Sequence, residues 1–245
     1  MRTLLRKLRK SLIESGGIRK YILYAIGEIA LVVIGIMLAL EFNNRNENKI
    51  KYQKEISYLE TISSNLHENL NHNIEPGILK ITQSIKTLNS YNKILEAPSF
   101  NRDVDSVITF LWDITNPLEI VLNTVGFDNL TSTGIDLISN PGLKKSITTL
   151  YGYDYKNLDE LENRHHNFTR TVIWPTIQNN INFSRDSITD RELNFLLTDG
   201  PFYSRIYGNE ADLKEMLELL KILKPRIEQL ILDINNEIKQ LNDLM

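Results

Sequence analysis

"YAIGEIALVVIGIMLAL", Tyr24–Leu40, decides how the rest of the chain is read. It lies in a run from Ile22 to Leu40 that is apolar apart from Tyr24 and Glu28. A helix of this length rises roughly 28 Å, against a hydrocarbon core of about 30 Å. Glu28 resists that reading. A carboxylate near the centre of a span costs about 2.5–3.5 kcal/mol on insertion scales, whereas each Leu, Ile or Val returns about 0.3–0.6 kcal/mol. Eleven such residues lie in the run, so insertion is favoured by a modest margin. Two other readings compete. A buried core helix of a soluble protein is one. A cleaved signal peptide is the other, but its apolar region is normally shorter and followed by a small-x-small site, which "ALEFNNRN" does not offer. We expect an uncleaved transmembrane helix over residues 21–41.

The flanks orient it. Arg2, Arg6, Lys7, Arg9, Lys10, Arg19 and Lys20 precede the run, opposed before Leu40 by Glu14 and Glu28 alone. The chain's net charge is −3, so everything beyond residue 40 carries −8 against +5 before it. Positive flanks stay in the cytoplasm. Residues 1–20 are therefore expected to form a basic cytoplasmic segment, and residues 42–245 an extracytoplasmic domain. Residues 2–13, "RTLLRKLRKSLI", also suit an amphipathic helix lying on anionic headgroups; a plain orientation signal explains them equally well. An acidic main body argues against a nucleic-acid partner, since phosphate binding needs a basic face. With no cysteine there is no disulfide framework, thiolate metal site or Cys nucleophile.

On a helix turning 100° per residue, Tyr24, Glu28, Gly35 and Ala39 fall within an arc of about 60°, and Leu31 and Phe42 share that side. Val33, Ile26 and Leu40 point elsewhere. Gly35-x-x-x-Ala39 lets another helix approach closely, and an intramembrane carboxylate normally faces protein. Tyr24, Glu28, Leu31, Gly35 and Ala39 are thus candidates for a transmembrane contact stripe, facing a second copy or another membrane protein. A protonated Glu28 facing lipid is the alternative. Carboxylates of several copies around one axis, moving protons or ions, is a third and more remote reading.

Beyond residue 41 the pattern is helical nearly throughout, with no sustained period-two alternation. Ile56, Leu59, Ile62, Leu66 and Leu70 keep helical spacing, and Pro76-Gly77 reads as the end of that helix. A second helix follows over Ile78–Leu95, closed near Pro98, and a third runs from Val104 to Trp112. A short piece is expected around Leu118–Val125, then turns up to Pro141. Asn140-Pro141 is a start signal for a long helix reaching Trp174-Pro175. Residues 179–190 read as a loop, and 190–198 as a short helix. In the last helix, Asn209 and Asp212 resemble a cap, Leu213, Leu217, Leu220, Ile227, Ile234, Ile238 and Leu241 line one face, and Pro225 is expected to kink it. The fold class is all-α: one transmembrane helix, then an antiparallel helical bundle with long first and last helices. Intermolecular coiled coil through those two helices is an open alternative.

The chemistry-bearing patterns are weak. His67 and His72 are five apart, so their rings diverge by about 140° and fail the zinc-protease spacing, which needs four. Glu162-x-x-His165, with His166 and Asp159 near, has di-iron spacing but lacks the second motif and further glutamates. An exposed His-His pair is the plainer reading. The acceptor triplets at Asn129, Asn167 and Asn182 are near chance in so Asn-rich a chain. No phosphate loop or nucleophile elbow occurs. No catalytic, cofactor-binding or metal-ligating residue is assigned, no cofactor is expected, and the chain reads as a non-enzyme. A ligand pocket beside Trp112, Tyr151, Tyr153, His165 and Trp174 is the alternative.

Two passages carry a resemblance. Lys20–Glu47 closely resembles the anchor of a family of uncharacterised single-pass membrane proteins from Bacteroidota, known as domain of unknown function 6090. Its pattern runs Y-A-I-G-E-I-x-L-V-V-x-G-I-x-x-A-L, then N-N-W-N-E. Tyr24 to Ile29, Leu31 to Val33, Gly35, Ile36, Ala39, Leu40, Asn43, Asn44, Asn46 and Glu47 match in place. Arg45 replaces the tryptophan, losing an interfacial aromatic and adding positive charge to the outer flank. Leu130–Tyr151 is similar to the family's L-x-S-S-G-x-L-x-L-I-x-N-x-x-L-R-x-x-I-x-x-Y. Leu130, Ser132, Gly134, Leu137, Ile138, Asn140, Leu143, Ile147 and Tyr151 match, while Thr133, Asp136 and Lys144 depart. Leu130, Ser132, Gly134, Asn140 and Tyr151 are read as a structural corner, Gly134 ending one helix and Asn140 capping the next. The resemblance implies a protein of the bacterial inner membrane with a periplasmic body. It implies no activity. The expected partners are the bilayer and a membrane-embedded helix.

Overall fold

The computed structural model describes residues 18–96, 104–116, 119–184 and 188–245. The chain is all-α, and among the described residues no strand occurs. It divides into two compact units, one ending at Lys54 and one running from Glu55 to Leu244. The basic segment's amphipathic reading, residues 2–13, lies outside the described residues.

The first unit's described part is the start of α1, Ile18–Asn69, a single 52-residue helix. From Ile22 on, this part is long and apolar enough to cross a membrane. None of its described side chains up to Ile50 is buried; Tyr24, Ala25 and Glu28 are half-buried and the rest exposed. α1 continues unbroken past residue 41, and its first buried residues are Glu55 and Ile56, which is why the compact body begins there. Arg45 pairs with Glu41 at 2.7 Å, one turn back, and Asn43 donates to Glu47 at 2.7 Å.

The second unit begins with the rest of α1, which does not end at Pro76-Gly77. A π-helical turn, Leu70–Ile74, leads directly into α2, Glu75–Glu96. Glu75 N–H bonds to the Leu70 carbonyl, five residues back. Proline lacks an N–H and crowds the carbonyl four residues before it. Widening the preceding turn lets Pro76 sit in a helix that continues. The same device recurs. α5, Pro141–Thr149, passes through a π-turn at Leu150–Asp154 into α6, Tyr155–Phe168. A further π-turn, Thr169–Ile173, leads into α7, Trp174–Asn180, which carries Pro175 in its first turn.

Between these runs lie α3, Val104–Thr115, and α4, Val125–Thr133. The piece expected at Leu118–Val125 is instead non-helical over 119–124, and the helix occupies the stretch read as turns. Its backbone in 119–124 is held by side chains of α1, described below, which local pattern does not reveal. α8, Asp190–Thr198, starts on a capping box: Thr189 N–H donates to Glu192 Oε2 at 2.8 Å and Glu192 N–H to Thr189 Oγ1 at 3.4 Å. α9, Gly200–Asp243, has 44 residues and starts nine positions before Asn209. Asp199 is its cap, accepting from Phe202 N–H at 2.7 Å, with Pro201 in the first turn. Asn209 is interior and buried, and Pro225 sits inside α9 without ending it.

α9 is the element the unit is built on. It packs along α2, α5 and α6 and against the turns at 70–74 and 169–173. Leu220, Ile227, Ile234 and Leu241 are buried, as are Leu59, Ile62 and Leu66 of α1, so both apolar stripes are used within the chain. Each fully buried Leu or Ile contributes about 1.5–3 kcal/mol. A second cluster forms where Tyr91 stacks on Phe110 at 3.8 Å, among Leu88, Ile177, Leu196 and Phe202, with the Tyr91 hydroxyl donating to the Leu196 carbonyl. Burial pushes the Tyr91 phenol far above its ordinary value, so it stays neutral and can donate.

Candidate functional site

On the span, Tyr24 and Glu28 are half-buried, while Leu31, Gly35, Ala39 and Phe42 are exposed. A Cβ added at Gly35 would meet nothing within 4 Å. Val33, on the opposite face, is exposed too. The stripe therefore differs from the rest of the span in chemistry and side-chain size, and in exposure only at Tyr24 and Glu28.

The corner residues lie along the body part of α1. Polar side chains interrupt its apolar face and hold the segment 120–140. Glu55, fully buried, accepts from Ser139 N–H at 2.7 Å and Ser139 Oγ–H at 2.9 Å. Asn65 Oδ1 accepts from Gly126 N–H at 2.8 Å. Asn69 accepts from Asn123 N–H at 2.7 Å and donates back to the Asn123 carbonyl at 2.9 Å. The Tyr58 and Thr133 hydroxyls meet at 2.7 Å. Leu130 is fully buried, and Gly134 takes φ of 120°, a backbone region that disfavours side chains. Asn140 caps α5 through Gly142 and Leu143 N–H, and its amide donates to buried Glu237 of α9 at 2.6 Å. Ser132 is exposed and donates to the Asn129 carbonyl; Tyr151 stacks on Phe127 at 4.6 Å. Sequence reading missed Glu55, Asn65, Asn69 and Glu237. For Glu55, Asn65 and Asn69 the signal was present as polar residues at apolar-face positions among Ile56, Leu59, Ile62 and Leu66, and for Glu237 as a charge beside Ile234 and Leu241 on the stripe of α9.

His165 does not stand on an exposed face. It is buried, at 5 % exposure, and lines a cavity of about 20 Å³ with Asn209, Ser84, Asp113 and Lys80. His166 is half-buried. Burial pulls the His165 ring below its ordinary value; His166 adds to this and Asp212 opposes it. Ser84 donates to Asp113 Oδ1 at 3.1 Å. Burial raises the Asp113 carboxyl, against the Ser84 hydrogen bond and Lys80. Glu162 turns instead to Ile120 N–H at 2.9 Å, with its carboxyl raised chiefly by burial. Among the described residues no group of three or more His, Asp or Glu converges as a metal would require.

The five residues weighed as one pocket are dispersed. Trp112 and Trp174 both flank Phe183, at 6.3 and 5.5 Å, and Trp112 and Tyr153 are exposed. Tyr151 is in the corner and His165 in the cavity. A groove of about 520 Å³ lies between α5 and α9, where buried Asp154 accepts from Arg226 Nη1 at 3.2 Å to each oxygen and Lys145 and Asp233 flank it. Comparison with protein-family models, curated proteins and solved structures found no match.

Proposed function

We propose that this chain is a membrane-anchored helical interaction protein, an adaptor, sensor-like or assembly subunit, of the family its anchor resembles. The span crosses the bacterial inner membrane once with residues 1–20 in the cytoplasm, and the body is periplasmic. The stripe Tyr24, Glu28, Leu31, Gly35 and Ala39 meets a second copy or another membrane-embedded helix. The observation that carries this is the span itself: a lipid-length apolar helix most of whose described side chains are exposed, bearing a carboxylate on the same face as two small residues.

The body is read as an antiparallel bundle. Its support is the order of contacts along α9. Ser63 meets Asn235 at 3.5 Å and Glu75 meets Lys224 at 2.6 Å, so rising numbers in α1–α2 find falling numbers in α9. Asn140 with Glu237, Asp154 with Arg226 and Arg164 with Asp212 at 2.9 Å repeat the trend for α5–α6. Purification from native membranes with and without Glu28→Leu tests the reading. Membrane insertion is expected to persist while self-association or partner recovery falls. Unchanged recovery at equal expression would contradict it.

The groove between α5 and α9 favours a second reading, a tethered ligand-binding domain or enzyme, because about 500 Å³ lies within the usual range of ligand sites. A thermal-shift screen of polar small molecules, with Arg226→Ala as control, separates the two.

A further inference from the structure

Two buried side-chain atoms, His165 Nδ1 and Asn209 Oδ1, have no hydrogen-bond partner among the described residues. Their residues are 5 % and 2 % exposed and line the same cavity, His165 from α6 and Asn209 from α9. An enclosed acceptor left unsatisfied forfeits its hydration without return, so buried polar atoms are almost always partnered, by protein or by water. The cavity's size limits the partner. About 20 Å³ exceeds the room one water needs and is far too small for an organic molecule. Charge limits it further. Lys80 and Asp113 line the space with opposite signs, so it has no net charge calling for an ion.

We propose that this cavity is a binding site for one internal water, which donates one hydrogen to His165 Nδ1 and the other to Asn209 Oδ1. The water ties α6 to α9 and fixes the imidazole with its proton on Nε2. Lys80 of α2 and Asp113 of α3 line the cavity with the ring, and Asp212 of α9 and His166 of α6 act on its charge. Protonating Nδ1 turns an acceptor into a donor, so the water can no longer donate to both atoms.

A double-mutant cycle on the full chain in detergent micelles tests this, with urea unfolding followed by tryptophan fluorescence. His165→Phe or Asn209→Leu alone breaks the bridge and strands the other atom, so each is expected to lower the folding constant about tenfold or more. The double variant removes both acceptors and is expected to be no worse than the poorer single, a coupling of about tenfold. Losses that simply multiply would overturn the proposal. If a single variant fails to fold, the ring nitrogen shifts of the wild-type chain decide: a proton on Nε2 is expected, and a proton on Nδ1 overturns it.

Discussion

Asn69 and Asn123 are joined by a reciprocal pair of hydrogen bonds: the Asn69 side chain accepts from the Asn123 backbone N–H at 2.7 Å and donates to the Asn123 carbonyl at 2.9 Å. The Asn69 amide thereby does for the irregular segment 119–124 what a neighbouring strand would do. It satisfies both main-chain groups of a residue that no helix serves. Asn69→Leu keeps the volume and removes both partners. Stranding two partly buried backbone groups is expected to cost about 2–4 kcal/mol, read by urea unfolding of the full chain in detergent. A loss below 1 kcal/mol would show that solvent replaces the side chain there.

Gly126 is a packing glycine. A Cβ there would sit 2.7 Å from Asn65 Oδ1 and 3.2 Å from the Ile62 backbone nitrogen. The amide could swing away, but at the loss of its bond to Gly126 N–H, and the Ile62 backbone cannot yield. Gly126→Ala is expected to destabilise by about 1–3 kcal/mol. Gly152, in the π-turn at 150–154, has nothing within 4 Å of the same added atom. There the smaller entropy of the unfolded alanine chain is expected to stabilise by about 0.4–1 kcal/mol. The melting temperatures should move in opposite directions.

Acid should loosen the body through His165. Its ring binds protons less readily in the fold than in the unfolded chain, chiefly through burial. As the pH falls below 6.5, the unfolded state takes up protons that the folded state refuses, so stability falls with pH. Asp113 and Glu162 act with the opposite sign, because their raised affinity favours the folded state as the pH drops into the carboxyl range. The histidine part is isolated by difference. Between pH 7 and pH 5.5, wild-type stability should decline more steeply than that of His165→Phe. Equal slopes would place the acid response elsewhere.

How far these features could be read in advance depended on whether local pattern determined them. The apolar run at Ile22–Leu40 and the stripes of α1 and α9 were legible because burial or lipid demands a period the sequence displays. Asn140-Pro141 was legible because a cap and a first-turn proline act within four residues. Pro76 misled, since a proline ends a helix only when the preceding turn is an ordinary α-turn, and the π-turn at 70–74 removes the clash. Asn209 and Asp212 looked like a cap because they precede an apolar stripe, while the working cap, Asp199, stands before a less regular one. Thr189 and Glu192 carried a capping-box spacing that went unread. His165 was placed on a polar face because its neighbours in sequence are polar; its burial comes from α9, over forty residues away. The corner's residues were visible in the sequence, and so were the polar residues at apolar-face positions of α1, but which backbone each of these holds was not, since that shows only once the distant partner is known.

The central claim is that the span makes contact through one face. Since the chain has no cysteine, single cysteines can be placed without background. The decisive measurement is disulfide crosslinking in native membranes, with cysteine at Gly35 or Ala39 compared with Val33, about 160° from the first and about 120° from the second around the helix. Crosslinking to a second copy or a discrete partner at 35 and 39, weak at 33 and reduced by Glu28→Leu, is the predicted result. Equal crosslinking at all three positions, indifferent to Glu28, would contradict it.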